Sequence, residues 1–145
     1  MASSSPTKPS PTKVSKSATC LCGAVAVTVT GVDKGAVLCH CSNCQRSSGS
    51  SFAHNYRFLD ADLTFDKGED AVTRYEDGDT TNGNVLARHF CKVCGSNVFL
   101  QPSTPPRMWI LHTGGMQDKT QPARELFTHN KHPWIGDVTP VRAKV

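Results

Sequence analysis

Seven cysteines are the residues of this chain best suited to chemistry, and they fall into three groups. The groups are Cys20-x-Cys22-Gly23, Cys39-x-Cys41-x2-Cys44 and Cys91-x2-Cys94-Gly95. A two-cysteine turn aims both sulfurs at one ion, and a following glycine lets backbone N–H groups approach the sulfurs. In a C-x-C segment on a strand, both thiols lie on the same face. The spacing therefore predicts metal binding through thiolates.

The odd number of cysteines favours thiolates over a disulfide framework, because small secreted proteins usually carry an even number. The first 17 residues contain lysines but no apolar stretch, so they do not look like a secretory signal. We therefore expect a reducing compartment, the cytoplasm, with the nucleus as the alternative. Zinc is the default metal for a soft thiolate set there, and an iron–sulfur cluster is the rival.

Seven thiolates fall one short of the eight ligands that two tetrahedral zinc sites need. One partition joins the first and third groups into a closed site and leaves the second group with an open position. The competing partition joins the first group with Cys41 and Cys44. Spacing alone leaves both partitions standing. Closed sites are structural, whereas catalytic sites keep a position for water or substrate.

A histidine is the obvious candidate for an eighth ligand. His40 lies between Cys39 and Cys41, but in a strand its side chain points away from both. His89 precedes Cys91 by two residues, and it is a candidate ligand only because it lies close to the Cys91–Cys94 turn. The remaining candidates depend entirely on the fold, and they are His54, His112, His129 and His132.

The chain has 145 residues, the size of one domain or of one domain with a tail. Residues 1–17 are mostly Ser, Pro, Thr and Lys, which predicts a disordered tail before a folded domain over residues 18–145. No apolar run approaches the roughly 20 residues of a membrane-spanning helix, so we expect no membrane partner.

The net charge of +4 is concentrated at the amino terminus, where Lys8, Lys13 and Lys16 stand without an acidic residue. The remaining residues carry 13 basic against 12 acidic side chains. Nucleic-acid binding needs clustered Lys and Arg on one face, and the body has no such cluster in sequence. We therefore expect no nucleic-acid partner. Nothing in the sequence sets the oligomeric state.

Short alternating apolar segments predict a mainly β fold with little helix. Val25, Val27 and Val29 alternate as in a half-buried strand, the segment 31–35 predicts a turn, and a second strand opens at Ala36. Residues 42–48 predict one or two helical turns that end at Gly49. Further short strands are predicted at 52–59, 63–65, 72–75, 85–90, 98–100 and 108–112.

These motifs resemble the glutathione-dependent formaldehyde-activating enzyme family, which also includes centromere protein V. The matching stretches are residues 19–25, 38–50 and 88–96, and a less specific one at 125–135. Over residues 18–138 the resemblance implies an Mss4-like β-tent zinc fold of short antiparallel strands. It also implies two zinc ions per chain: a structural zinc held by Cys20, Cys22, Cys91 and Cys94, and a catalytic zinc held by Cys39, Cys41 and Cys44.

The resemblance further implies a zinc-dependent carbon–sulfur lyase that acts on a small thiol–aldehyde adduct such as S-hydroxymethylglutathione. The partner would then be a small molecule, glutathione or another thiol. One alternative is a zinc enzyme that adds or removes water at an imine or hemiacetal carbon. Another is a non-enzymatic zinc-binding interaction module. A pocket that ends at the second zinc would favour the enzymes, and a four-ligand second site would favour the module.

Other residues near the second cysteine group are weaker candidates for roles in the site. Arg46, Asn55 and Tyr56 lie just beyond it and are candidates for substrate binding, with strand packing and surface charge as their competing roles. His40, His54 and His112 are candidates for a proton-transferring base, a role that sequence alone assigns to none of them.

Overall fold

The computed structural model describes residues 5–138, whose strands form one eight-stranded sheet. The strands are β1 Lys13–Thr19, β2 Ala26–Cys39, β3 Ala53–Lys67, β4 Val72–Asp77, β5 Leu86–Cys91, β6 Asn97–Pro102, β7 Trp109–His112 and β8 Arg124–Leu126. One α-helix in this range, α1, spans Ser42–Ser48, and short 3-10 turns occupy Glu69–Ala71, Thr113–Gly115 and Thr128–Asn130. Among residues 5–138, no helix has the length and apolar character that crossing a bilayer requires.

Strand β2 organises the sheet, whose order is β1-β2-β3-β7-β6-β5-β4. One edge of β2 pairs along its length with β3. Its other edge pairs first with β1, antiparallel, and then with β8, parallel, beside Cys39. The carboxyl end of β2 therefore lies between two strands, and the second cysteine group begins at that end.

The alternation of side chains changes phase within both β2 and β3, because the pairing between them shifts register near Gly31–Gly35. On β2 the buried core residues change from Val27 and Val29 to Ala36. On β3 they change from Tyr56 and Phe58 to Ala61, across Asp60 with its φ of 46°. Because a bulge adds a residue to one strand, it reverses which face the following side chains occupy.

The two faces of the sheet have different roles. One face carries the main apolar core, whose largest members are Tyr56, Phe58, Phe99, Leu111 and Met116. On the opposite face, side chains from β2, β3, β5, β6 and β7 line a cavity. The sheet thus stabilises the domain with one face and builds the pocket with the other.

The mainly β fold predicted from sequence is confirmed, and so is the helical turn at 42–48, which Gly49 ends in the left-handed conformation. The sequence predicts a turn over 31–35 and a break after residue 59. The structure instead has continuous strands β2 and β3, because the glycines at 31 and 35 serve register shifts within a paired ladder. The last 25 residues contain the short strand β8 and, in their described part, no α-helix.

The first strand begins at Lys13, inside the segment 1–17 that the sequence assigns to a disordered tail. Val14, Lys16 and Ala18 face inward: Val14 packs on the core, Ala18 is 1% exposed, and the Lys16 ammonium lies 5.1 Å from the Tyr56 ring centroid. The sequence does not reveal this strand, because one of the three inward-facing residues, Lys16, is charged and breaks the apolar alternation. Residues 5–12 are exposed and lie outside the sheet, and residues 1–4 are outside the described part.

Deletion of residues 1–12 should leave the melting temperature unchanged, because no described residue among them is buried. Deletion of residues 1–17 removes most of β1 and should lower the melting temperature by more than about 5 °C. Calorimetry on the full chain and both truncations measures this. Equal melting temperatures for the two truncations would show that β1 contributes nothing to stability.

Candidate metal centres and the adjoining pocket

The first cysteine cluster joins two turns that are distant in sequence. Cys20 and Cys22 lie between β1 and β2, Cys91 ends β5, and Cys94 lies in the turn before β6. Their four sulfurs lie within 4.8 Å of one another, with Sγ–Sγ distances of 3.6 Å from Cys20 to Cys22 and 3.8 Å from Cys22 to Cys91. Zn–S bonds of about 2.3 Å place tetrahedral sulfurs about 3.8 Å apart. The cluster therefore fits a four-coordinate zinc ion.

Local hydrogen bonds support thiolates in this cluster. The Val25 N–H donates to Cys20 Sγ at 3.2 Å. The Ser96 hydroxyl lies 3.1 Å from Cys94 Sγ, and it is the largest of several hydrogen-bond causes that together lower the pKa of Cys94 to about 5. Gly95 has a φ of 74°, a left-handed conformation that glycine adopts easily, and this allows the tight turn that follows Cys94.

The second cluster is local and surrounds the start of α1. Cys39 is the last residue of β2, Cys41 is the N-cap of α1, and Cys44 lies in its first turn. The Cys44 N–H donates to Cys41 Sγ at 3.3 Å, and the Cys39 thiol donates to the same sulfur at 3.4 Å. All three sulfurs lie within 4.8 Å of one another. Cys39 and Cys44 are buried, and Cys41 is partly exposed.

Three sulfurs this close share their protons unequally. The hydrogen bond from Cys39 is the main cause that lowers the pKa of Cys41, and the positive charge of Arg88 lowers it further. Donating that bond raises the pKa of Cys39 far above its usual range. All three can ionise together only beside a cation, which is the relation expected of a soft metal site. The donor set therefore fits zinc.

The structure brings the first and third groups together and leaves the second group by itself, so the competing partition with Cys41 and Cys44 has no geometric basis. Among the described residues no histidine belongs to either cluster. His40 is fully buried, and its Nε2 lies 2.9 Å from Glu125 Oε1 of β8. This contact helps to hold β8 beside Cys39, the first residue of the second cluster. The second cluster therefore has three described protein ligands, all of them sulfurs.

The other candidate histidines also lie away from both clusters. His89 stacks on the Phe99 ring at 4.2 Å, and His132 Nε2 lies 3.1 Å from Gln45 Oε1. Burial lowers the pKa of His112 to about 4, so that ring is neutral at neutral pH. Burial lowers the pKa of His54 as well. His129 is exposed in a 3-10 turn. The base candidates His40, His54 and His112 are absent from the described lining of the pocket.

A cavity of about 340 Å³ opens beside the second cluster, and Cys39, Cys41 and Cys44 form part of its wall. The sheet supplies one side, while the loop 79–85 and the segment 126–127 supply others. Its apolar lining is Val37, Val85, Leu86, Leu100, Met108, Ile110, Leu126 and Phe127. A small molecule in this cavity can therefore reach the three sulfurs beside a partly apolar wall.

A buried ion pair holds the cavity wall to α1. Arg88 of β5 donates from Nε and Nη2 to Asp77 Oδ2 of β4 at 3.0 and 2.9 Å, and from Nη1 to the Ser47 hydroxyl of α1 at 2.9 Å. The Asn43 amide of α1 donates to the same carboxylate at 3.0 Å. Arg88 and Asp77 are each 6% exposed. Removing one partner of such a pair usually costs about 3–5 kcal/mol.

The substrate-binding candidates have different positions. Asn55 lines the cavity, whereas Tyr56 faces the core and donates its hydroxyl to Asp33 Oδ2 at 2.6 Å. Arg46 lines a second cavity, which shares Asn43, Asp79 and Arg88 with the first. Sequence reasoning missed Arg57 and Arg88, which also line the main cavity. For Arg57 a signal existed, since it follows Asn55 by two residues and therefore shares its face.

Comparisons with known proteins bear on the whole domain. Residues 15–130 match the family described as glutathione-dependent formaldehyde-activating enzyme. A crystal structure of a Rhodobacter sphaeroides protein, determined as a structural-genomics target, is similar in fold with a TM-score of 0.56 and 26% sequence identity. The alignment covers 70% of this chain and 87% of that protein. No curated protein matches the chain significantly.

Freshly purified, reduced protein should contain two zinc ions per chain that differ in lability. The four-sulfur site should retain its ion longer, because its binding is coupled to folding. The three-sulfur site should lose its ion first to a chelator. Metal analysis after timed chelation measures both ions. One zinc or none at the start, or equal rates of loss, would contradict the assignment.

Cys94→Ser should lower the melting temperature by more than about 10 °C, since the first cluster joins turns at both ends of the sheet. Cys41→Ser should leave the fold intact, because serine is itself a good N-cap for α1. Thermal melts of the two variants, compared with the unsubstituted chain, test this difference. Equal destabilisation would show that the two clusters are not divided in role.

Proposed function

The chain belongs to the glutathione-dependent formaldehyde-activating enzyme family, and on that premise we propose that it is a zinc-dependent carbon–sulfur lyase-type enzyme. Its substrate would be a small thiol–aldehyde adduct resembling S-hydroxymethylglutathione. The observation that carries this proposal is the cavity that leads to the three sulfurs of Cys39, Cys41 and Cys44. Cys20, Cys22, Cys91 and Cys94 would then hold the structural zinc.

In the synthetic direction, the thiolate sulfur attacks the aldehyde carbon, a C–S bond forms, and the former carbonyl oxygen receives a proton. In the lyase direction, the hydroxyl loses its proton, the C–S bond breaks and the sulfur leaves as thiolate. A zinc ion held by three thiolates supplies an open coordination position that lowers the pKa of a thiol or hydroxyl bound there. This accounts for three protein ligands in place of four.

The surrounding residues support this chemistry by charge and by exclusion of water. Three thiolates on a divalent ion leave one net negative charge, and the guanidinium of Arg88 lies close enough to lower the pKa of Cys41. Its hydrogen bond to Ser47 fixes α1, and with it the start of the helix that carries the cluster. Leu100, Ile110 and Leu126 form an apolar part of the cavity wall, which limits the access of water to a bound adduct.

The same arrangement favours an enzyme over an interaction module. A module needs only a closed metal site, whereas here the described ligands of the second cluster are three sulfurs beside a cavity. The exposed basic side chains of the amino terminus, Lys8 and Lys13, lie outside that cavity.

The test is the rate of exchange between formaldehyde, reduced glutathione and their adduct, measured by NMR with the zinc-loaded protein and corrected for the spontaneous reaction. The unsubstituted chain should accelerate exchange, and Cys41→Ser should abolish the acceleration. Arg74→Gln, an exposed change on β4 outside the cavity, should retain it.

Two results would contradict the lyase proposal. Exchange no faster than the spontaneous rate with glutathione and with cysteine would exclude it for these thiols. Accelerated exchange of labelled water into a thiol-free carbonyl hydrate, without any effect on thiol adducts, would instead support the hydrating alternative.

A further inference from the structure

Phe127 has a backbone conformation that bulky residues rarely adopt. Its φ is 56° and its ψ is 45°, in the left-handed region that favours glycine. Such a conformation costs free energy, and it persists only where the surrounding structure holds it in place. Phe127 also lines the cavity beside the second cluster. Strained residues are concentrated at ligand-binding sites, which makes Phe127 a candidate for a role in binding.

Hydrogen bonds on both sides of Phe127 come from the segment that carries the second cluster. The His40 N–H donates to the Leu126 carbonyl oxygen at 3.0 Å, directly before Phe127. The Gln45 side-chain amide donates to the Asn130 carbonyl oxygen at 2.9 Å, at the end of the turn that Phe127 begins. The same short stretch of chain therefore positions both the three sulfurs and the strained aromatic residue.

The cavity has apolar side chains where it meets the second cluster. Leu126 pairs directly with Cys39 across β2 and β8, and Val37 precedes Cys39 by two residues on β2. Both line the cavity, as Phe127 does. Neighbouring strands lie about 4.8 Å apart, and residues two apart on one strand are about 6.7 Å apart. Val37, Leu126 and Phe127, here called the apolar subsite, therefore lie close to any group bound at the three sulfurs.

The apolar surface continues from this subsite along the sheet. Leu100 of β6 pairs with Ile110 of β7, and both residues are buried and line the cavity. Among residues 5–138, Val37, Leu100 and Ile110 belong to neither of the apolar clusters that other buried residues form. They face an open cavity and not the packed core, an arrangement typical of ligand-binding sites.

Formaldehyde has no group to place on this surface, because its carbonyl carbon carries only hydrogen. The carbonyl carbon of an alkyl aldehyde carries a chain, which would replace water at the apolar subsite. Burial of each methylene group strengthens binding by about fourfold. The surface therefore suits an adduct whose hydroxyl-bearing carbon also carries an alkyl chain.

We propose that Val37, Leu126 and Phe127 bind an apolar substituent of the aldehyde carbon, so that the enzyme prefers adducts of short-chain alkyl aldehydes to those of formaldehyde. The inference rests on the proposed function for the position of the reacting carbon. Phe127 is a specificity residue whose backbone conformation, held by His40 and Gln45, directs its ring to the cavity. No chemical step depends on it.

The first test measures binding alone, by NMR titration of the zinc-loaded protein with methanol and with 1-butanol. These alcohols resemble the hydroxyl-bearing carbon of the two kinds of adduct. The proteins are the unsubstituted chain, Phe127→Ala, Phe127→Gly and Trp134→Ala. The last is a control that removes an exposed aromatic ring outside the cavity lining. Thermal melts of all four proteins confirm that each variant folds.

The unsubstituted chain should bind 1-butanol up to about 60-fold more tightly than methanol, which is about fourfold for each of its extra methylene groups. Phe127→Ala and Phe127→Gly should reduce this ratio to below about tenfold without weakening methanol binding, because they remove only apolar surface. Trp134→Ala should leave the ratio unchanged. A ratio near one in the unsubstituted chain, or an equal loss for both alcohols in Phe127→Ala, would overturn the inference.

The melts also test the strain at residue 127. Phe127→Gly should melt at a higher temperature than Phe127→Ala, because both lack the ring but only glycine adopts a positive φ without cost. Phe127→Ala melting at or above Phe127→Gly would show that no strain directs the ring.

The second test compares the NMR exchange of glutathione adducts of formaldehyde and of butanal. The unsubstituted chain should accelerate the butanal exchange more, relative to each spontaneous rate, and Phe127→Ala should lose this preference while it still accelerates the formaldehyde exchange. Preference for formaldehyde in the unsubstituted chain would overturn the inference. Phe127-dependent binding of 1-butanol without acceleration of either exchange would support the subsite and contradict only the lyase proposal.

Discussion

Three sulfurs held within 4.8 Å of one another cannot all be thiolates without a cation between them, and much of this molecule follows from that constraint. The cluster sits where β2 ends and α1 begins, so any cation bound there fixes the junction of a strand with a helix. Arg88 forms a salt bridge with Asp77 and donates a hydrogen bond to Ser47, which holds α1 against β5. The site is therefore fixed by its own ligands and by one buried ion pair.

The first cluster meets the same constraint with a different result. Its four sulfurs join two turns about 70 residues apart in sequence, and Cys20 and Cys91 also belong to the main apolar core. A metal there would connect the two ends of the sheet. It would add to the stability from the apolar core, which is limited because the domain is small and has few large aromatic side chains. Four protein ligands leave no position for a substrate, whereas three do. The difference in ligand number therefore suits the first cluster to a structural metal and the second to a metal that binds substrate.

The register shifts in β2 and β3 connect the fold to the pocket. In the first half of β2 the odd-numbered residues face the core, as Val27 and Val29 do. In the second half the odd-numbered Cys39 faces the cavity instead. Asn55 and Arg57, in the part of β3 that lies beside this second half, face the cavity too. Without this reversal an asparagine and an arginine would point into the apolar core, at a cost that buried polar groups rarely incur. The bulges thus allow one continuous sheet to carry a core on one face and a polar-lined pocket on the other.

The sequence by itself determined the features that are local. The three cysteine groups, the glycines that follow two of them, the turn of helix at 42–48 and the alternating strands are all set by spacing within a few residues. Cys39, Cys41 and Cys44 cluster for the same reason, since the junction of a strand with a helix N-terminus brings them together without help from distant segments.

Only the tertiary structure decided what depends on distant pairing. The association of Cys20 and Cys22 with Cys91 and Cys94 requires β5 and β6 to return beside the start of β2, and short-range spacing cannot encode that return. The inclusion of residues 13–17 in the sheet depends on β2, which supplies the hydrogen bonds and the buried surface. The direction of Arg57 depends on a register shift shared by two strands, so its position in the cavity wall becomes apparent only when both are in place.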